Sequence, residues 1–468
     1  MGIRLDWDIE ADQRHMRGMG EDPDAARTRR AARFRLLLVV GVVLILLGSA
    51  VAFVLLRAEQ VDMQLENLLT NTVSAEVTAL RIGDWNAFSE FQRSASPDWT
   101  AQQRQLFDDY QTLLLRNENA QLTGRVVDLS IDDPRGRVLI EEIVDGVPYN
   151  RTWFYWRFEP EYDANGDIVF EGGWRHVPPD YTFWGEPGLI DGERVQVSFL
   201  EIDRPVADVM AQRLDEWIGV GCAALNCASL PELRVSIRPN IPDGIYWSQQ
   251  DPWLLQVRSP YATRARADLP FSPEMQIETA SLLAERMTLY ASNNTAATPG
   301  TDAQYIQSAV ASWLVGRFVL IDTGAFLVSS LASSHGEQAV GQLLAALQPS
   351  ADIGALSQVT GATLDQSNLD WRDFFTWRLR LENQLITLQD QARYLTLYAP
   401  SEAIQNVALA RFSVPIQGEP TVTLVQPTTP AEDGTPQVQA TVRITQGDVV
   451  TEQQVLFRLV NNVWLRAG

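Results

Sequence analysis

A chain of 468 residues with 59 acidic and 37 basic side chains carries a formal net charge of −22. That balance argues against nucleic acid as a partner, because phosphate binding needs a basic face. Every basic residue is Arg, and the lack of Lys excludes a phosphate-loop lysine, a Schiff-base lysine and a Ser-Lys dyad. Three His (His15, His176, His335) and two Cys (Cys222, Cys227) remain for imidazole or thiol chemistry. The length allows two to four domains at about 100–200 residues each, and 46% hydrophobic content is enough for sizeable cores.

Residues 1–35 hold eight Arg against seven acids and lack periodic apolar positions, which reads as a polar tail. From Leu36 to Leu56 the stretch LLLVVGVVLILLGSAVAFVLL carries no charge. Its length matches the roughly 20 residues that cross about 30 Å of hydrocarbon as a helix. Arg27, Arg29, Arg30, Arg33 and Arg35 precede it, and only Arg57 follows directly. By the positive-inside rule the tail is cytoplasmic and residues 58–468 are extracytoplasmic, giving a single-pass protein of the cell membrane. The small residues Ser49-Ala50-Val51-Ala52 would suit a cleaved signal peptide instead, but the apolar run continues through Phe53–Leu56. The acidic excess falls on the outer part, which anionic lipid headgroups would repel.

The outer part opens with two amphipathic helices, Val61–Ile82 and Ala101–Arg116, the first with Leu65, Leu68, Leu69, Val73, Val77 and Leu80 at helical spacing. Strands follow at Leu122–Ile131, Arg137–Val144, Tyr149–Phe158 and Ile168–His176. Asp145-Gly146 and Asn165-Gly166 read as hairpin turns, which need positive φ. Asp163, Asn165, Asp167 and Glu171 have a faint calcium-loop look, but aromatic strands flank them where a calcium loop has helices. Near the end of the chain the plan recurs: a helical stretch at Trp371–Tyr398, then strands at Thr421–Val425, Gln437–Ile444, Glu452–Val460 and Val463–Arg466. Trp174-Arg175 and Trp464-Leu465-Arg466 close the two segments alike. Helices followed by an antiparallel meander predict an α+β architecture.

The helix, the turn Ile82-Gly83-Asp84-Trp85, the second helix and the Trp-Arg strand resemble the nuclear transport factor 2-like (SnoaL-like) superfamily. The resemblance implies a cone of curved sheet at residues 60–180 and again at 376–468. No catalytic residue transfers with it. His176 and Glu141-Glu142 are candidate pocket groups, with a hydrogen-bonded scaffold role the plainer reading for the histidine.

Between the cones, residues 181–375 read as mixed α/β, with strands at Arg194–Ile202, Leu233–Ile237 and Leu254–Arg258. A helix at Pro205–Ile218 comes early, and long helices come later at Pro273–Ser292, Ala303–Ile321 and Gly336–Leu347. Cys222 and Cys227 form a C-x4-C pair that reads as a small disulfide staple outside the membrane. The segments LLAERMTLYA, ASWLVGRFV and HGEQAVGQLLAAL…LSQVTGATLDQSNLDWRDFF resemble, in order and spacing, gluzincin-type (peptidase MA-like) zinc peptidases. In that family two His of HExxH bind zinc and the Glu between them activates a metal-bound water. Here the His positions fall at Ala284 and Thr288, and Glu285 alone keeps its type. The third ligand falls at Val315-Gly316. The resemblance, with these ligands missing, implies a pseudopeptidase without metal or other cofactor. The plainer reading of Glu285 itself is a helix residue paired with a nearby Arg such as Arg286 or Arg317.

The expectation is a membrane-anchored, non-catalytic binding or scaffold protein of the cell envelope, whose partners are the membrane and an envelope protein or ligand, not nucleic acid. Two alternatives stand beside it. One is a hydrolase or lyase with a non-zinc site, marked by Glu278, Glu285 and an Arg converging in one pocket; the other is a transmembrane sensor with a cytoplasmic partner. Lys-free, all-Arg usage is the pattern of a GC-rich bacterial genome.

Overall fold

The computed structural model describes residues 23–116, 120–227, 230–414 and 417–468. The proposed tail lies outside the described residues up to residue 22, including His15. The fold is α+β, with twelve α-helices and sixteen strands among the described residues.

The first helix, α1 (Pro23–Ile82), is continuous for 60 residues, about 90 Å at 1.5 Å per residue. It is long and apolar enough to cross a membrane, and its apolar window is unburied. Where the apolar run and an amphipathic helix at Val61–Ile82 were expected as separate elements, one helix carries both. The polar stretch from Arg57 to Asn67 holds no Gly or Pro to break it.

The described chain divides into two compact units. The first takes in residues up to Thr112, Gly124–Val138 and Phe154–Pro178; the second takes in Leu113–Thr123, Leu139–Trp153 and Pro179–Gly468. In the first, Leu69, Val73, Val77 and Leu80 of α1 are buried with Phe88 of α2 (Trp85–Glu90) and Phe107 of α3 (Pro97–Arg116). Strand β1 (Val126–Asp132) and the strand ends Arg135–Val138 and Phe154–Phe158 complete this core with β6 (Gly173–Val177). Gly136 admits α1 closely, since a Cβ there would lie 2.7 Å from Leu69 Cδ2. The strand expected at Ile168–His176 is two pieces. Ile168–Phe170 (β5) pairs with Glu161–Tyr162 (β4), and Gly173–Val177 pairs with Phe154–Phe158 of β3 (Val147–Phe158), whose partner across Asp145-Gly146 is β2 (Arg135–Val144). Asp145 and Gly146 both have positive φ, at 53° and 77°.

The second unit centres on a five-stranded sheet in the order β10-β11-β9-β8-β7. Its strands are β7 (Pro187–Asp191), β8 (Val195–Leu200), β9 (Leu233–Arg238), β10 (Ile245–Trp247) and β11 (Leu254–Arg258). The three inner strands are parallel and both edges antiparallel. Helix α4 (Arg204–Leu225) makes the crossover from β8 to β9 and buries Val206, Met210, Leu214 and Trp217. After the short β12 (Ala265–Arg266) come α5 (Pro273–Ala291) and α6 (Asp302–Val319), packed on each other, then α7 (Phe326–His335), α8 (Gln338–Ala346) and α9 (Ala355–Thr360). The stretch expected as one helix to Tyr398 is broken into α10 (Arg372–Thr387) and α11 (Gln391–Thr396), followed by α12 (Glu402–Phe412). The chain closes with the meander β13 (Glu419–Pro427), β14 (Gln437–Gln446), β15 (Val449–Val460) and β16 (Val463–Arg466). Phe375 of α10 stacks on Phe457 of β15 at 4.1 Å.

Candidate functional site

Helices α5 and α6 enclose a cleft of about 310 Å3, lined by Ser281, Glu285, Thr288, Gln307, Ser312 and Val315 among others. Helical periodicity brings Glu285, Thr288 and Val315 to this cleft, while Ala284 is fully buried. Thr288 is also buried, and its hydroxyl has no hydrogen-bond partner among the described residues. Gly316 leaves no room for a ligand side chain, because a Cβ there would sit 2.9 Å from the Ile321 carbonyl oxygen. The cleft therefore offers hydroxyls, an amide and one exposed carboxylate.

The Arg partners expected for Glu285 are committed elsewhere. Arg286 lies over the Trp247 ring at 4.7 Å, and Arg317 pairs with Glu337. Glu285 makes no ion pair or hydrogen bond among the described residues. An arginine next in sequence points about 100° away around the helix, so adjacency did not make a pair. Glu278 lines a different cleft, so Glu278 and Glu285 do not converge. Among the described residues no group of three or more His, Cys, Asp or Glu is placed to hold a metal ion.

Among the described residues, buried titratable groups converge around Glu76 and around Glu382. In the first unit Glu76 of α1 is fully buried and accepts three hydrogen bonds of 2.7 Å each, from His176 Nδ1, Gln92 Nε2 and Tyr155 Oη. Tyr155 stacks on the His176 ring at 5.1 Å and Trp99 meets its edge at 5.3 Å. Burial and the nearby Glu76 carboxylate push the Tyr155 phenol well above its ordinary pKa. His176 is thus buried and hydrogen-bonded to Glu76.

The last segment repeats this arrangement. Glu382 of α10 is buried and accepts from Arg466 of β16 and from Tyr398 Oη at 3.1 Å. Burial raises the Glu382 pKa against the pull of Arg466. The main chain repeats as well. His176 N–H donates to Phe91 and its carbonyl accepts from Arg93, while Arg466 N–H donates to Leu397 and its carbonyl accepts from Ala399. Asp84 and Asp390 each cap the following short helix, accepting from the N–H three residues on. A positive-φ residue precedes each cap, Gly83 at 77° and Gln389 at 57°. The counterpart of Arg466 is His176, not Arg175. Both sit two residues after a buried Trp (Trp174, Trp464), and side chains alternate along a strand.

Another buried carboxylate is Asp203, between β8 and α4. It accepts from Trp184 Nε1 at 3.0 Å and from Ser259 Oγ, yet burial dominates and pushes its pKa up to about 6. Nothing in the sequence marked it, since its partners lie 19 and 56 residues away. Glu142 is buried against Arg264, and Glu141 accepts from Thr123 at 2.8 Å through its carbonyl. Cys222 and Cys227 are disulfide-bonded with Cα atoms 4.7 Å apart. Asp163 accepts from the N–H groups of Asn165 and Asp167, closing the β4–β5 hairpin. Compared with known proteins, the chain matches no protein-family model, no curated protein and no solved structure.

Proposed function

We propose that this chain is a membrane-anchored binding or scaffold protein of the cell envelope, with its folded part outside the cytoplasm and an ancestral peptidase-like cleft that no longer catalyses. The observation that carries the reading is the lining of the α5–α6 cleft. The positions that correspond to the ligand pattern hold Ala284, Thr288 and Val315-Gly316, and Glu285 stands alone. A glutamate without a polarised water has little to deprotonate. On this reading residues 60–180 and 376–468 are nuclear transport factor 2-like modules. Their shared buried carboxylate favours the view that they are two copies of one design. The test is to incubate the full-length protein in detergent, with zinc added, against a mixed peptide library. The expected result is no cleavage. Cleavage that disappears in Glu285→Gln would overturn the reading.

A second reading, a transmembrane sensor, is favoured by one feature. The helix that carries the apolar span runs unbroken to Glu76, so a shift in the buried cluster has a stiff path along α1.

A further inference from the structure

At the N-terminal end of α5 lies a second cleft, of about 350 Å3, a size that suits a small ligand. Its lining carries both signs of charge. It includes Arg258 at the end of β11, with Arg264 and Arg266 around the start of β12. Arg264 is fixed by the buried Glu142, and Arg266 is held in bidentate fashion by Asp268 at 2.6 and 3.0 Å. Among the described residues the Arg258 side chain pairs with Asp243 alone, whose side chain is 80% exposed. The pair is open to solvent on its Asp243 side, with the Arg258 side chain 23% exposed, so a ligand carboxylate can compete with Asp243 for the guanidinium.

The lining also carries Glu274 and Glu278, one turn apart on α5. Glu274 is engaged at the start of its own helix, with its backbone N–H and with Ser272. Glu278 has no ion pair among the described residues and faces Gly244, where a Cβ would lie 3.7 Å from Glu278 Oε1. The chain has no Lys, so no lysine ammonium of its own can fill that place.

We propose that this cleft binds a small zwitterion, a free amino acid or short peptide, with its ammonium at Glu278 and its carboxylate at Arg258. The proposal deepens the binding reading by naming a ligand class, and it uses a different cleft from Glu285. Peptide cleavage dependent on Glu285 would overturn that reading and leave this site standing, whereas failure to bind a zwitterion would overturn this site alone.

The experiment is calorimetric titration of the detergent-solubilised full-length chain with four probes: L-alanyl-L-alanine, its N-acetyl form, its C-terminal amide, and L-alanine. The expected result is saturable binding of the free dipeptide or of alanine. Blocking either end of the dipeptide should weaken it by about tenfold or more. Glu278→Gln should weaken the free dipeptide by a similar factor while leaving the N-acetyl form unchanged. Arg258→Ala should do the same with respect to the amide. Tighter binding of alanine than of dipeptide assigns the site to amino acids, and the reverse assigns it to peptides. No saturable binding below about 10 mM overturns the proposal, as does equal binding of free and blocked dipeptides. So does indifference to both substitutions in variants that melt like the parent.

Discussion

Glu76 and Glu382 each hold a carboxylate in a core where an unpaired charge would be costly, and three and two side-chain donors respectively make that tolerable. Removing the acceptor orphans the donors, so Glu76→Ala should destabilise the chain by about 3–5 kcal/mol, read as a lower melting temperature. Because desolvation offsets much of the attraction within the pair, Glu382→Leu combined with Arg466→Met should cost less than either change alone. A double variant as unstable as the sum of the singles would show that the pair is a net source of stability.

Asp203 gives a pH signature. Burial lifts it, and likewise Asp373, to about 6. The folded chain therefore binds protons, in the window from about pH 6 down to about pH 4, that the unfolded chain releases. Stability from these two groups rises as pH falls through that window, and the full penalty for their charge applies above it. Asp203→Asn keeps the shape and removes the charge. It should be more stable than the parent at pH 7, by on the order of 3 kcal/mol, and match it below about pH 4. An equal difference at both pH values, measured by denaturant unfolding, would contradict the assignment.

At the level of elements, α1 tests the anchor and sensor readings against each other. Two residues inserted between Glu59 and Gln60 would rotate the span by about 200° relative to Glu76. A passive anchor should keep the melting temperature and membrane partition of the parent and show the same phenotype in cells. Loss of phenotype with fold and partition intact would favour the sensor. The Cys222–Cys227 bond closes a loop of sequence separation 5. Replacing both by Ser should cost about 2 kcal/mol, the small value expected of a short loop. The intact protein should show no free thiol on denaturation without reductant.

Much at this scale was legible in the sequence. The apolar run of α1 announces itself by length, Val463–Arg466 and Leu254–Arg258 by strand propensity and turn residues, and Asp145-Gly146 by its φ requirement. What was missed has a physical cause. Polar, fully exposed residues 57–60 give no periodic signal, so the continuity of α1 rests on the mere lack of a breaker. Gln389 takes positive φ without being Gly, which hid the break between α10 and α11. The three-residue edge strand β10 is too short to show alternation. For the sites, the residue types around Glu285 are plain in the sequence, but their surroundings are not. Partners such as Glu76 and His176, 100 residues apart, leave no mark on local pattern.

For the whole molecule, the Arg cluster before the span and the acidic excess beyond it set the expected topology. A reporter fused after Gly468 should be active only outside the cytoplasm, and one before Met1 only inside; the opposite pattern would invert the orientation. The proposed binding role requires an α5–α6 cleft without a catalytic metal. The deciding measurement is zinc analysis of the purified full-length protein after mild chelation. Far less than one zinc per chain is expected, with the melting temperature unchanged by added zinc. One tightly held zinc per chain, lost on substitution of Glu285, would contradict it.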